Sequence, residues 1–143
     1  MNASRKNDRK HAFCLVFKHI FHNCEEINIE EDFEYYMENF AEEGVSEPHF
    51  ILGEARGVLN NLTQIDKYIA ETSEAWDISR ISKIDLAIMR LAVYEILHDP
   101  NISEGVAINE AVELAKVFST EDGSKFVNGV LGKIARTFKA NES

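Results

Sequence analysis

Two residues with metal-ligand chemistry lie one helical turn apart in the second half of the chain. Glu95 and His98 have the Glu-x-x-His spacing that places both ligands on one helical face in di-iron carboxylate bundles. Those sites need two copies of the motif, and this sequence contains one. A surface histidine beside a helix end is therefore the better interpretation.

Other reactive side chains do not form a site either. His19, His22 and Cys24 are close in sequence, but Cys24 lies off the helical face that the two histidines share. Cys14 and Cys24 would be roughly 15 Å apart along one helix, whereas a disulfide bridges roughly 7 Å. Phosphate-binding glycine motifs and hydrolase motifs are missing from the sequence. We predict no enzyme activity, no metal and no cofactor.

Basic side chains occur at two places that suggest an anionic ligand. The first is the start of the chain, with Arg5, Lys6 and Arg9 in the opening turns of a predicted helix. The helix macrodipole disfavours cations there, so local helix stability does not explain them; an outside anion is one explanation, and simple solvation of N-terminal lysine and arginine is the alternative. The second is Lys125–Phe126, where the lysine suits a phosphate, the ring suits base stacking, and free N–H groups would start a helix at about Ser124. Burial of Phe126 in the core is the alternative.

The acidic charge of the chain is regional. The net charge is −10, which argues against a protein that coats nucleic acid indiscriminately. Residues 20–55 carry 11 acids and no lysine or arginine, and the rest carries 14 acids against 15 bases. An acidic helical adaptor that binds a basic protein, without an RNA site of its own, is therefore an alternative function.

The elements that carry these residues are predicted to be helices. The chain of 143 residues has two prolines, seven glycines and 45% hydrophobic residues, so we predict one all-α domain of about seven helices. Two small packed bundles are expected, over residues 1–75 and 76–143. Neither a signal peptide nor a membrane span is apparent, which favours a cytoplasmic protein.

The helix SKIDLAIMRLAVYEILHDP is apolar almost all round, so it should be the buried centre of the second half. Ser82 should cap its start and Pro100 should follow its end. Arg90 within it needs a buried partner, which we predict to be Glu110 or Glu113.

The last helix contains two glycines that weaken it. Gly129 and Gly132 are predicted to allow close packing of the last helix on the central one. Asn128 is predicted to satisfy buried polar groups near Asn109.

Three segments together resemble one protein family. They are AIMRLAVYEIL, VAINEAVELAK and EDGSKFVNGVLGKIA, accompanied by the basic start and the aromatic residue Phe17. In these segments the chain resembles the NusB family of bacterial transcription antitermination factors. The last two segments are long and specific, whereas residues 20–75 match only in pattern.

The resemblance implies an all-helical, non-enzymatic protein that binds boxA-type, single-stranded RNA of nascent ribosomal RNA transcripts. It implies NusE, a small-subunit ribosomal protein, as the partner, within the antitermination complex of RNA polymerase. Partner-binding residues would be Phe17 and Asp85. The residues implied at or near the RNA are Arg5, Lys6, Arg9, Ser119, Asp122, Lys125 and Phe126.

The sequence also departs from the family. Asn7 and Asp8 interrupt the basic cluster, and Phe17 replaces a common tyrosine, so weak affinity for RNA alone is expected. Some ribosomal RNA methyltransferases carry a similar N-terminal domain, but a chain that ends at Ser143 leaves no room for their catalytic domain. Whether two copies associate as a homodimer stays open.

Overall fold

The computed structural model describes residues 3–21, 28–40, 44–74 and 77–142. Over these residues the fold is all-α, as predicted, with seven α-helices. A short 3-10 helix, Ile78–Arg80, precedes the fifth of them. The helices are α1 Ala3–His19, α2 Ile29–Asn39, α3 Pro48–Asn60, α4 Leu62–Ser73, α5 Lys83–His98, α6 Glu104–Phe118 and α7 Glu121–Glu142.

Local sequence signals set the bounds of the second-half helices. The hydroxyl of Ser82 accepts a hydrogen bond from the backbone N–H of Asp85 at 3.1 Å, which confirms the predicted cap of α5. Pro100 follows the last residue of α5 by two positions, as predicted. Ser103 caps α6 in the same way, by accepting from the N–H of Val106 at 3.2 Å.

The start of α3 is capped from another helix. The N-cap residue of α3 is Glu47, whose side chain makes no cap bond. The carboxylate of Asp8 on α1 instead accepts from the N–H of Ser46 at 2.8 Å and of Glu47 at 2.9 Å. Asp8 is 1% exposed. The first turns of α1 therefore hold the start of α3.

Helix α5 is the buried centre of the molecule. It packs against α1, α3 and α4 on the first-half side and against α6 and α7 on the other. One hydrophobic cluster runs from Ala12 and Val16 of α1 through α5 to Leu131 and Ile134 of α7. Helix α4 of the first half also contacts α7 of the second half. The division into two bundles near residue 75 therefore stays a prediction. No described helix is long and apolar enough to cross a membrane.

The partner predicted for Arg90 is wrong. Its guanidinium donates from Nε and Nη2 to the two carboxylate oxygens of Asp66 on α4, at 2.9 Å each. Of the predicted partners, Glu110 pairs with Lys6 and Glu113 with Lys116. Arg90 therefore faces α4 rather than α6.

The predicted role of the glycines in α7 is also wrong. A Cβ on Gly129 would have no heavy atom within 4 Å, and the nearest to one on Gly132 is a side-chain nitrogen at 3.4 Å. Asn109 and Asn128 are both exposed. Close packing occurs instead at Gly57 of α3, where a Cβ would overlap the ring of Tyr94 on α5.

Candidate functional site

The basic start of α1 is engaged by acids of the protein itself. Arg5, half-buried, donates to the Glu47 carboxylate at 3.0 Å, and its guanidinium carbon lies 3.8 Å from the centroid of the Phe50 ring. The Lys6 ammonium is 3.3 Å from the carboxylate of Glu110. The Lys6 side chain keeps 48% of its surface exposed, so it can still meet an outside anion.

Arg9 differs from its neighbours because it is a core residue. It donates from Nε and Nη2 to the carboxylate of Glu95, at distances between 2.5 and 3.2 Å. Arg9 and Glu95 are 1% and 0% exposed. The expectation that Arg9 meets an outside anion is wrong, since its anion lies within the protein. Because the Glu95 carboxylate is paired with Arg9, it is not available to bind a metal ion.

A second buried carboxyl lies beside this pair. Glu54 of α3 is 4% exposed, and its Oε2 atom is buried without a hydrogen-bond partner, as is Nη1 of Arg9. Burial and the neighbouring Glu95 carboxylate raise the pKa of Glu54 to about 9, against the opposing effect of Arg9. The raised pKa favours the protonated form of Glu54 near neutral pH, while the Glu95 carboxyl is the group that accepts the hydrogen bonds of Arg9.

The turn between α6 and α7 presents the second set of candidate residues. Helix α7 begins at Glu121, three residues before the predicted start. The N–H of Ser124 donates to the carbonyl of Thr120 at 2.9 Å, and Lys125 lies a full turn inside the helix, where N–H groups bond to carbonyls four residues earlier. The expectation that these two N–H groups bind an anion is therefore wrong.

The side chains of this turn are nevertheless accessible. The Lys125 side chain is 73% exposed, with its ammonium 3.6 Å from the carboxylate of Glu121. Phe126 is 36% exposed, so part of its ring faces solvent. Asp122 is exposed, and Ser119 is half-buried. A charged group and an aromatic ring thus face solvent side by side.

Lys6 and Lys125, one from each basic set, line separate grooves along α6, whereas Arg5 lines another cavity together with Phe50. A cavity of about 390 Å³ between α1 and α6 is lined by Lys6, Lys10 and Phe118, among others. A cavity of about 550 Å³ between α6 and α7 is lined by Lys116 and Lys125. The structure brings the sets to the two sides of one helix but not into one cavity.

Phe17 belongs to a row of four phenylalanines, which we call the aromatic row: Phe118, Phe13, Phe17 and Phe21. Successive ring centroids are 5.2, 6.1 and 5.2 Å apart. Phe21 is 55% exposed, and the ammonium of Lys83 lies 4.7 Å from its centroid. The spacing of four residues could have predicted the part of the row on α1, but Phe118 comes from α6 and gave no sequence signal.

Asp85, the other expected partner residue, is 7% exposed. Its Oδ1 accepts a hydrogen bond from the hydroxyl of Ser119 at 2.6 Å. A residue expected at the partner surface and one expected at the RNA thus contact each other.

Neither metal site considered from the sequence is formed by described residues. His98 contacts the side-chain oxygen of Gln64 at 2.9 Å, while Glu95 is paired with Arg9. His22 and Cys24 lie outside the residues that the structure describes. Within those residues, no group of three or more potential ligands could hold a metal ion.

A sequence model of the NusB family matches residues 6–136. The transcription antitermination protein NusB of Acetivibrio thermocellus is 41% identical over 133 residues, which cover 92% of this chain and 88% of that protein. NusB of Agathobacter rectalis is 36% identical, with 92% and 99% of the two chains covered.

The chain belongs to the NusB family.

Solved NusB structures share its fold. NusB from T. maritima has a TM-score of 0.79 at 34% identity, covering 95% of this chain and 93% of that one. A crystal structure of antitermination factors NusB and NusE in complex with dsRNA has a TM-score of 0.80 at 24% identity, with 96% and 99% covered. Membership of the NusB family confirms the expectation, drawn from the C-terminal segments, of a transcription antitermination protein that is not an enzyme.

Proposed function

We propose that this chain is an RNA-binding transcription antitermination factor of the cytoplasm. Together with NusE it holds boxA-type RNA of nascent ribosomal RNA transcripts, as part of the antitermination complex of RNA polymerase. The observation that carries the proposal is the match to the NusB family over residues 6–136. The specific segment EDGSKFVNGVLGKIA lies within that match and contains the exposed residues Lys125 and Phe126.

The proposed RNA surface combines phosphate contacts with one stacking platform. Lys6 and Lys125 offer exposed ammonium groups to phosphates. Arg5 is held above the Phe50 ring, which orients its guanidinium before RNA arrives. Phe126 offers a ring face to a base. Asp122 supplies a hydrogen-bonding group in the adjacent turn, and Ser119 lies near the RNA with its hydroxyl donated to Asp85.

Arg9 supports this surface from beneath rather than contacting RNA. Its ion pair with Glu95 fixes α1 on the central helix α5, and the same turns of α1 carry Arg5 and Lys6. The RNA contacts of α1 therefore depend on a buried pair that RNA does not touch.

The proposed surface for NusE is the exposed end of the aromatic row. Phe21 is exposed there beside Lys83 and next to Phe17. Exposed aromatic rings that can be desolvated are typical anchors of protein interfaces.

A titration tests the proposal. Labelled boxA-type RNA is titrated with the purified chain, alone and with NusE present, and binding is followed by fluorescence anisotropy. We expect weak binding by the chain alone and tighter binding with NusE, with a scrambled RNA of equal length as the control. Equal binding of both RNAs in the presence of NusE would contradict the proposal. Light scattering on the same samples reports whether a homodimer competes with RNA.

The acidic helix α2 supports a second candidate function, that of an adaptor for a basic protein. This helix begins with Glu30, Glu31 and Asp32, and Tyr35 and Phe40 are 52% and 56% exposed. An acidic face with exposed aromatic rings suits a basic protein partner. The acidic adaptor would bind such a partner without binding RNA, so the same titration separates the two functions.

A further inference from the structure

The contact between Asp85 and Ser119 joins three helices at one point. Asp85 lies in the first turn of α5, and Ser119 is the residue that ends α6. The Ser119 hydroxyl donates to Oδ1 of Asp85 at 2.6 Å. Helix α7 begins two residues later.

Gly123 in the first turn of α7 packs directly against this contact. A Cβ on Gly123 would overlap the Ser119 hydroxyl, and it would lie 3.0 and 3.1 Å from the two carboxylate oxygens of Asp85. The backbone N–H of Gly123 donates to the Thr120 hydroxyl at 2.9 Å. Only glycine therefore allows the carboxylate and the hydroxyl to reach the start of α7.

The charge of Asp85 suits this position. The start of a helix carries a partial positive charge, so a carboxylate beside it is stabilising. The Asp85 carboxylate is nearly buried and lies against the first turn of α7. It therefore acts on α7 as an N-terminal acid that is supplied from another helix.

We propose that Asp85 is a positioning residue for RNA, acting through Ser119. Their hydrogen bond fixes the turn between α6 and α7. It thereby fixes the direction in which the side chains of Lys125 and Phe126 project from α7. Direct contact of Asp85 with a partner is not needed for this role. The inference rests on the proposed function, because it assigns RNA to the Lys125–Phe126 surface.

The first turn of α5, which carries Asp85, also contacts the proposed partner surface. Lys83, two residues before Asp85, lies over the exposed ring of Phe21. The first turn of α5 thus contacts the aromatic row through one residue and the RNA-side turn through another. A partner bound at the aromatic row would act on the same turn of α5 that holds Ser119.

The test is a double-mutant cycle on RNA affinity. Asp85→Ala and Ser119→Ala should each weaken binding of boxA-type RNA by about two- to tenfold, the range of one hydrogen bond. The double variant should be no weaker than either single variant, because the two residues act as a unit. Asp85→Asn keeps an acceptor oxygen for the Ser119 hydroxyl and should retain most of the affinity. Glu71→Ala, which removes an exposed acid of α4, is the matched control.

Two readouts separate positioning from other roles. Each variant is assayed with and without NusE, and its free energy of unfolding is measured. Losses that multiply in the double variant, or a loss of stability with unchanged RNA affinity, would overturn the inference. Weaker binding of NusE by the Asp85 variants in the absence of RNA would show that Asp85 contacts the partner and would also overturn it. No RNA binding by the wild-type chain under either condition would overturn the proposed function as well.

Discussion

The side chains of Arg9 and Glu95, 86 positions apart in sequence, form an ion pair that is almost completely shielded from water. The pair ties α1 to the central helix. Arg9→Met or Glu95→Met alone should destabilise the protein by about 3–5 kcal/mol, because each leaves a buried charge without its partner. The double variant should be more stable than either single variant. Urea unfolding measures all three, and a double variant that loses the sum of the two effects would refute the pairing.

The salt dependence of RNA affinity should report the exposed cations of the proposed RNA surface. RNA affinity should fall with salt with a log–log slope of about −2 to −3, if about three to four phosphates of a single strand are neutralised. Lys6→Ala should reduce the magnitude of the slope by about 0.7. Arg56→Ala, which removes an exposed cation of α3 paired with Glu30, is the control and should leave the slope unchanged. A slope near zero for the wild-type chain would contradict the basic surface.

Glu54 should make stability fall as pH rises. Its pKa is raised from 4.5 to about 9 in the folded protein. Between these values the folded state keeps a proton that the unfolded chain has released, so the free energy of unfolding decreases with pH. Glu54→Gln removes this effect. The free energy of unfolding of the variant should therefore rise relative to that of the wild type by up to about 1.4 kcal/mol per pH unit. Urea unfolding between about pH 5 and about pH 8 measures the difference in free energy of unfolding between the variant and the wild type. Glu31→Gln, on the exposed face of α2, is the control and should show no such trend.

Phe126→Ala should weaken RNA binding by about 1–3 kcal/mol, the usual contribution of one stacked base. The melting temperature should fall less than it does on truncating a fully buried side chain, because Phe126 is 36% exposed. Val127→Ala is the contrasting variant, since Val127 is 0% exposed and its truncation should lower stability. A Phe126→Ala protein that loses stability and keeps its RNA affinity would show that the ring serves packing.

Two glycines should respond to alanine in opposite directions. Gly129→Ala places a methyl group in open space and should stabilise α7 by about 0.8–1 kcal/mol through helix propensity. Gly57→Ala should destabilise the protein, because its methyl group would overlap the Tyr94 ring. Thermal unfolding compares the two variants, and a destabilised Gly129→Ala would indicate that α7 packs through that glycine.

Features set by neighbouring residues were predictable from the sequence. The cap from Ser82 and the end of α5 before Pro100 depend on a few adjacent positions, and both predictions are confirmed. The apolar pattern of α5 also identified the central helix. The C-terminal segments identified the NusB family, which the comparisons confirm.

Features set by the packing of distant helices were not predictable. Arg90 needed an acid, but Asp66 and Glu110 satisfy that need equally well in the sequence, and only the position of α4 decides for Asp66. Arg9 looked like its exposed neighbours for the same reason. The RNA-contact roles of Arg5, Lys6, Ser119, Asp122, Lys125 and Phe126 stay predictions.

The cap that Asp8 provides for α3 limits how basic the start of the chain can become. A cation at position 8 would add charge toward RNA, but it would leave the N–H groups of Ser46 and Glu47 without their acceptor. Position 7 is similarly committed, since the Asn7 side chain donates to the carbonyl of Gly44 at 2.8 Å. Selection for tighter RNA binding would have to act at exposed positions such as Ser4. Asn7 and Asp8 interrupt the basic cluster because their side chains attach the segment before α3 to α1. In the proposed function, RNA affinity and fold assembly therefore place opposing demands on the same two turns of helix.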